Sequence, residues 1–363
     1  MLYINPVMKE GSYTRKGRGA VSNSDSRYSL LHHEAADDGW EPDEETLPPL
    51  RTTVRKDTSR TIIAENRSPD VPFDQSINPY RGCEHGCIYC FARPTHAYLD
   101  LSPGLDFETR LFYKPDAGRL FVEALKRPAY RCRVIALGTN TDPYQPIEKR
   151  YGLMRRILEV CVQTRHPIGI TTKSSRIEND LDLLRDLGGD NLVSVAISVT
   201  TLDKDLARRL EPRATAPLRR LETVERLAAA GIPVSVSVAP IIPVLTDPEM
   251  ESILQAAASR GAHSAGYILL RLPREVKDLF KQWLQEHYPN RAAHVMSVIR
   301  QSRQGRENDS AFGRRRRGTG AFAEMIAQRF RLATRQHGLD RSLPPLNTTA
   351  FRKPGSQLDM WGS

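Results

Sequence analysis

The chain reads as an α/β protein, a parallel sheet with helices on its outside. From Asp74 onward, short apolar runs rich in β-branched residues alternate with longer segments whose apolar residues recur at helical spacing. Strands that are apolar and separated by helices form parallel sheets buried by those helices. Counting one strand ahead of residues 79–91, the units number about six, short of the eight that close a full barrel.

Residues 1–72 come first. They are polar, with scattered Gly, Ser, Asp and Pro, acidic over 34–45 and basic over 51–60, and read as a largely disordered or loosely attached extension. Lys16-Gly-Arg-Gly-Ala20 contains a Gly-x-Gly, but without a strand before it or a clear helix after it the match to a phosphate loop is poor.

The core spans 73–290. Arg133–Leu137 is a strand that ends at Gly138, and Tyr151–Thr164 a helix with Leu153, Met154, Ile157, Leu158 and Cys161 on one face. Ile168–Thr172 is the next strand; Ile177, Leu181, Leu184 and Leu187 mark a helix stopped by Gly188-Gly189. Leu192–Val199 follows as a strand. Pro217–Gly231 is a helix with Pro at its start and Gly at its end. Pro233–Ile242 is a strand, and Thr246-Asp-Pro-Glu249 is a capping box opening a helix that stops at Gly261. Tyr267–Leu272 is the last strand and Arg274–Tyr288 the helix after it.

Residues 291–363 form a basic, mostly helical extension. They hold 14 Lys and Arg against 5 Asp and Glu, a local charge of +9, whereas the whole chain carries +10. Arg314–Arg317 is followed by a helix over Ala321–His337 with Phe322, Met325, Ile326 and Phe330 at helical spacing, and the sequence ends with Phe351-Arg-Lys-Pro354 and Trp361. A basic run with nearby aromatics suits nucleic acid, Arg to phosphate and rings to bases, and equally a solvated loop.

No run of about eighteen apolar residues exists, so no membrane span is expected. Residues 1–20 lack the apolar centre of a secretory signal. Five cysteines, three of them clustered, suit a reducing cytoplasm better than a disulfide framework.

The cluster is Cys83, Cys87 and Cys90, in Pro79-Tyr-Arg-Gly-Cys-Glu-His-Gly-Cys-Ile-Tyr-Cys-Phe91. Three thiolates so close can converge on one metal centre. A cubane iron–sulfur cluster has four irons, so three cysteines leave one iron open for another ligand. The same thiols with His85 or His96 would make a Cys3His zinc set, although the usual second Cys-x2-Cys pair is missing.

Cys-x3-Cys-x2-Cys with an aromatic residue before the third Cys resembles the motif of the radical S-adenosylmethionine (radical SAM) enzymes. Within these the chain is similar to the spore photoproduct lyase-like branch. The supporting blocks are Gly138–Glu148 (Gly-Thr-Asn-Thr-Asp-Pro-Tyr-Gln-Pro-Ile-Glu), Thr171–Ser174, Ser198–Thr201, Glu211–Arg213 and Ala239–Pro243, in the expected order. The resemblance implies a partial (β/α)6 barrel with its site at the C-terminal strand ends. It implies a 4Fe–4S cluster on the three cysteines, S-adenosylmethionine bound at the open iron, and a 5′-deoxyadenosyl radical that takes hydrogen from an unidentified substrate. A reductant such as flavodoxin or ferredoxin would supply the electron.

By the same resemblance Lys173 pairs with the cofactor carboxylate, Ser198 contacts its ribose, Thr141 and Asp142 lie near its amino end, and Tyr89 shields the cluster or covers the adenine. The residues alone also allow a strand-end hydroxyl at Ser198, a turn-forming Asp before Pro143, a solvated Lys173 and plain packing of Tyr89. Glu148 reads as a helix N-terminal charge and Cys161 as core. Photoproduct lyases proper carry a hydrogen-donor Cys after the second strand. The matching stretch here, Gly138–Thr141, has none and Cys132 falls too early, so lesion repair does not carry over. The alternative class is a non-catalytic iron–sulfur or zinc module that binds nucleic acid.

Overall fold

The computed structural model describes residues 16–29 and 50–355; the acidic stretch over 34–45 and Trp361 lie outside the described residues. Its ten strands are β1 Thr53–Lys56, β2 Ile63–Glu65, β3 Gln75–Ile77, β4 Tyr80–Arg81, β5 Arg110–Tyr113, β6 Ile135–Leu137, β7 Ile168–Thr172, β8 Val193–Ser198, β9 Val234–Ile241 and β10 Ser264–Leu269. Six of them, β3 and β6 to β10, lie side by side in chain order and run parallel, with β2 antiparallel on the outer edge of β3. β1, β5 and β4 make a small separate sheet that carries the chain into the cysteine loop.

Each parallel strand has two unlike faces. On β8, Val193, Val195 and Ile197 are buried under the helices, as are Val234, Val236 and Val238 on β9. Alternate positions turn the other way and are small: Gly169, Ser194, Ala196, Ser198, Ser235, Ser237 and Gly266. The apolar runs are thus one-sided, and the inner face keeps room for a ligand. The outer face is covered by the helices Ala117–Lys126, Leu153–Thr164, Leu181–Gly189, Pro217–Ala229, Met250–Ala258 and Gly320–Gln336.

The expected elements recur with instructive shifts. The last strand begins and ends three residues early. Its register with β9 starts at Ser264, opposite Ser235, while Leu270 and Leu272 leave the sheet to pack with Phe280 and Trp283 of the helix Val276–His287. Their apolarity serves a second core rather than the strand. The capping box does not form: the Thr246 hydroxyl accepts from Ile242 N at 2.8 Å, and the Glu249 carboxylate goes to Thr201 and to Leu202 N, so the helix starts at Met250. In the helix Gly320–Gln336, Ile326 is buried and Phe330 lies against Tyr267, but Met325 faces outward. The helix Lys204–Leu210, capped by Asp203, is not among the expected elements.

Residues 16–29 and 50–65 are not loose. Gly19 N and Ala20 N donate to the Glu108 carboxylate, and Arg18 donates to Glu108 O and Leu50 O. A side chain at Gly19 would place its Cβ 1.9 Å from Gly86 O, so glycine lets this strand of chain lie directly on the cysteine loop. Few apolar residues mark the segment because polar contacts hold it, from main-chain N–H groups and from the Arg18, Ser22, Asn23 and Arg27 side chains.

The Arg314–Arg317 loop covers the free edge of β10, where Arg316 O accepts from Leu269 N at 2.9 Å. The same loop reaches the segment before β3: Gly313 N donates to Asp70 Oδ1 at 2.7 Å, and Arg315 pairs with Asp70 and bonds Ser68. The two ends of the large sheet are joined by this contact. Among the described residues no helix is long and apolar enough to cross a membrane.

Candidate functional site

The cysteine loop is held from behind by one guanidinium. Arg93, fully buried, donates to Cys87 O at 2.9 Å, Gly86 O at 3.0 Å, Pro103 O at 3.1 Å and Gly104 O at 2.8 Å, and pairs with Glu108. Gln145 clamps the other side, accepting from Glu84 N at 2.8 Å and donating to Gly82 O at 3.1 Å. Gly82 and Gly86 both have positive φ, which bends the loop so that the sulfurs face inward.

Cys83, Cys87 and Cys90 are free thiols, the first two buried and the third half-buried. Burial pushes the Cys83 thiol up, with Asp142 and the other two sulfurs adding to it; burial, then Glu211, does the same at Cys87. Burial raises Cys90 too, while the N–H groups of Ala92 and Arg93 directed at it pull the other way. As bare thiols they resist ionisation, and a thiolate-binding metal centre would supply the missing positive charge. The donor set fits a cubane, whose thiolates bind separate irons. Among the described residues no three His, Cys, Asp or Glu side chains are already gathered around a single point. His85 faces Asp142 at 3.4 Å, and His96 Nε2 is bonded to Arg110 O at 2.9 Å.

Opposite the sulfurs stand the C-terminal ends of β7, β8 and β9. Lys173, at the end of β7, donates to Ser198 Oγ at 2.5 Å and Ala239 O at 3.3 Å and lies 3.5 Å from Glu211. Its side chain is 14% exposed, which rules out a solvated surface lysine. Burial lowers its pKa to about 8. Ser198 in turn donates to Ala239 O at 3.1 Å. Tyr89 is buried with its ring 5.9 Å from the Lys173 ammonium and its hydroxyl on Glu211 and Thr200. Glu211 is anchored by Arg220, which also donates to Thr215 O at 2.6 Å and Ser198 O at 3.0 Å.

Asp142 accepts from Tyr144 N at 2.9 Å, Thr172 Oγ1 at 2.7 Å and Lys173 N at 2.7 Å, tying the Gly138–Glu148 loop to the end of β7. It is a turn-forming Asp that also faces Cys83 and His85. Thr141 donates to Tyr80 O at 3.2 Å, one step from the cysteine loop. Glu148 accepts from Met154 N at 2.8 Å and from the Tyr80 hydroxyl, a helix-end and packing role; burial raises its pKa to about 7. Cys161 is core, and Cys132 lies half-buried away from the other three.

The structure therefore brings Tyr89, Thr141, Asp142, Lys173 and Ser198 to one place with the three cysteines. Sequence reasoning gave no role to Arg93, Glu108, Gln145, Glu211 or Arg220. Gln145 and Glu211 sat in quoted blocks; the other three carry no local pattern, because their partners are 9 to 89 residues away or are backbone atoms.

A family model described as the radical SAM superfamily matches residues 77–257. An uncharacterized protein of Mycobacterium tuberculosis is 37% identical over 242 residues, 65% of this chain and 71% of that protein. One from Methanocaldococcus jannaschii is 27% identical over 213 residues, 59% of this chain and 76% of its own length. Among solved structures, spore photoproduct lyase complexed with dinucleoside spore photoproduct matches with a TM-score of 0.57 at 16% identity, covering 78% of both chains. A variant of that lyase gives 0.58 at 16% identity over 78% of this chain and 79% of its own. At such identity the likeness is one of fold.

Proposed function

The chain belongs to the radical SAM superfamily and is an enzyme of that class, and from that premise we propose that Cys83, Cys87 and Cys90 hold a 4Fe–4S cluster at the mouth of a partial (β/α)6 barrel. A reduced cluster held there would supply the one electron needed for reductive cleavage of S-adenosylmethionine, and so a 5′-deoxyadenosyl radical for hydrogen abstraction from the substrate.

The protein's own part is binding and placement. Lys173 presents a desolvated ammonium to the cofactor carboxylate, a charge-assisted contact strengthened by burial. Ser198, free to release Ala239 O or the Lys173 proton contact, offers its hydroxyl to the ribose. Asp142 fixes the Lys173 backbone, Thr141 holds the neighbouring loop near the cofactor amino end, and Tyr89 walls the sulfurs from the sheet. Glu211, anchored by Arg220, lies 3.5 Å from the Lys173 ammonium and helps to position it. An acidic one-electron donor such as flavodoxin or ferredoxin delivers the electron in the cytoplasm. The substrate reading extends to nucleic acid through the basic residues 291–363.

The observation that supports this most is the meeting of three thiols from one loop with Lys173 and Ser198 from two strand ends. Anaerobic reconstitution tests it: about four irons and four sulfides per chain, lost in the Cys83→Ala/Cys87→Ala/Cys90→Ala variant. One zinc per chain instead would overturn the cluster.

A further inference from the structure

A pocket of about 380 Å³ opens beside the cysteine loop, and its lining includes His85, Ser174, Ser175, Arg176, Arg213 and Thr215. His85, 2% exposed, forms its floor. This residue lies two positions from both Cys83 and Cys87. Two residues of chain span at most about 7 Å between Cα atoms, so a single side chain separates the pocket from the sulfur-bearing loop. Other parts of the loop are covered. Gly19 lies on Gly86, Arg93 backs Cys87, and Ile88 and Tyr89 pack in the second core with Leu210 and Ile242.

The pocket is rich in donors, and the acid on its wall is spent. The Glu178 carboxylate takes two N–H groups of Arg219 at 2.7 Å, the Thr223 hydroxyl at 2.7 Å and Arg226 at 2.9 Å. Ser174 Oγ accepts from Arg176 N at 3.2 Å, which leaves its own proton to give. Arg213 lies 3.2 Å from Glu84, with its side chain 39% exposed. The Arg176 guanidinium has no hydrogen-bond or ion-pair partner among the described residues. Arginine forks beside a free hydroxyl suit a carboxylate.

Position decides whose carboxylate it is. The radical chemistry needs an electron, and electron transfer falls off steeply with the distance between redox groups. A carrier protein that seats an acidic side chain here stands against the loop that bears the sulfurs. Such redox encounters bury little area and rely on charge for their orientation.

We propose that this pocket is the electron port, where Arg176 and Arg213 receive a carboxylate of an acidic one-electron carrier protein over the His85 ring. The inference rests on the cluster proposed above. One electron leaves the carrier, which is oxidised, and arrives at the centre held by Cys83, Cys87 and Cys90, which is reduced. No bond is made or broken.

The test is titration calorimetry of a bacterial flavodoxin and a bacterial ferredoxin into the full reconstituted chain over a salt series. Affinity for the parent should fall as salt rises. Arg176→Glu should weaken binding at least about three-fold, and Arg176→Glu/Arg213→Gln at least about ten-fold. The single variant is the cleaner one, because its guanidinium has no protein partner to lose. Iron content and bleaching of the visible absorbance by dithionite should not change, since a small reductant needs no docking surface. Equal affinity in the parent and both variants, or no binding of either carrier by the parent, overturns the port. A parallel loss of dithionite bleaching overturns it too, by making the two arginines supports of the loop. Iron analysis separates the two readings: a chain that holds its iron and fails here loses the port alone, and a chain without iron loses the cluster.

Discussion

The supports of the cysteine loop and the rim of the pocket beside it are built to opposite rules. Among the supports, Arg93, Gln145, Asp142, Lys173 and Glu211 all have protein partners, most of them buried. On the rim, the Arg176 guanidinium has none among the described residues, and the half-exposed Arg213 meets Glu84. The difference teaches which half is complete in the protein alone. A radical generator needs rigid placement, and buried, fully bonded networks give it.

That contrast can be broken at its strongest point first. Arg93→Ala leaves the Glu108 carboxylate and four loop carbonyls without their donor. It should cost about 3–5 kcal/mol of stability, read by denaturant unfolding, and lower the iron loading of whatever folds; a cost near zero would mean the loop holds itself. Lys173→Ala should leave iron content intact and weaken S-adenosylmethionine binding at least about ten-fold by calorimetry, since a charge-assisted contact of about 1.5–3 kcal/mol is lost. Equal loss of iron would instead make Lys173 a structural prop.

Much of this was legible in the sequence. The cysteine spacing and the strand ends at Gly138, Lys173, Ser198 and Ala239 stood out because local patterns encode them: apolar runs, a stop and then polar residues. The network behind the loop was not legible, since Glu108 meets Arg93 and Gly19 through contacts that leave no periodic trace. The misplaced last strand has the same origin, as Leu270 and Leu272 are apolar for a helix-facing core and not for the sheet. The docking of residues 18–20 was missed because a glycine, main-chain donors and the Arg18 guanidinium do it, through partners distant in sequence.

A smaller effect concerns pH. Glu148 has its pKa raised from 4.5 to about 7 by burial. The folded protein binds its proton more tightly than the unfolded chain, so stability from this group is fully present below pH 4.5 and declines as pH rises to about 7. Glu148→Gln should flatten that decline in thermal melts; an unchanged slope would assign it to other groups. Smallest of all, Met325→Ala, on the outward face of its helix, should alter stability by less than about 0.5 kcal/mol, whereas Ile326→Ala on the buried face should cost about 2–5 kcal/mol.

The most direct measurement is formation of 5′-deoxyadenosine from S-adenosylmethionine by the anaerobically reconstituted, chemically reduced protein. The account predicts 5′-deoxyadenosine in the parent and none in the Cys83→Ala/Cys87→Ala/Cys90→Ala variant. An intact, reduced cluster that yields none, with or without an oligonucleotide present, would contradict it.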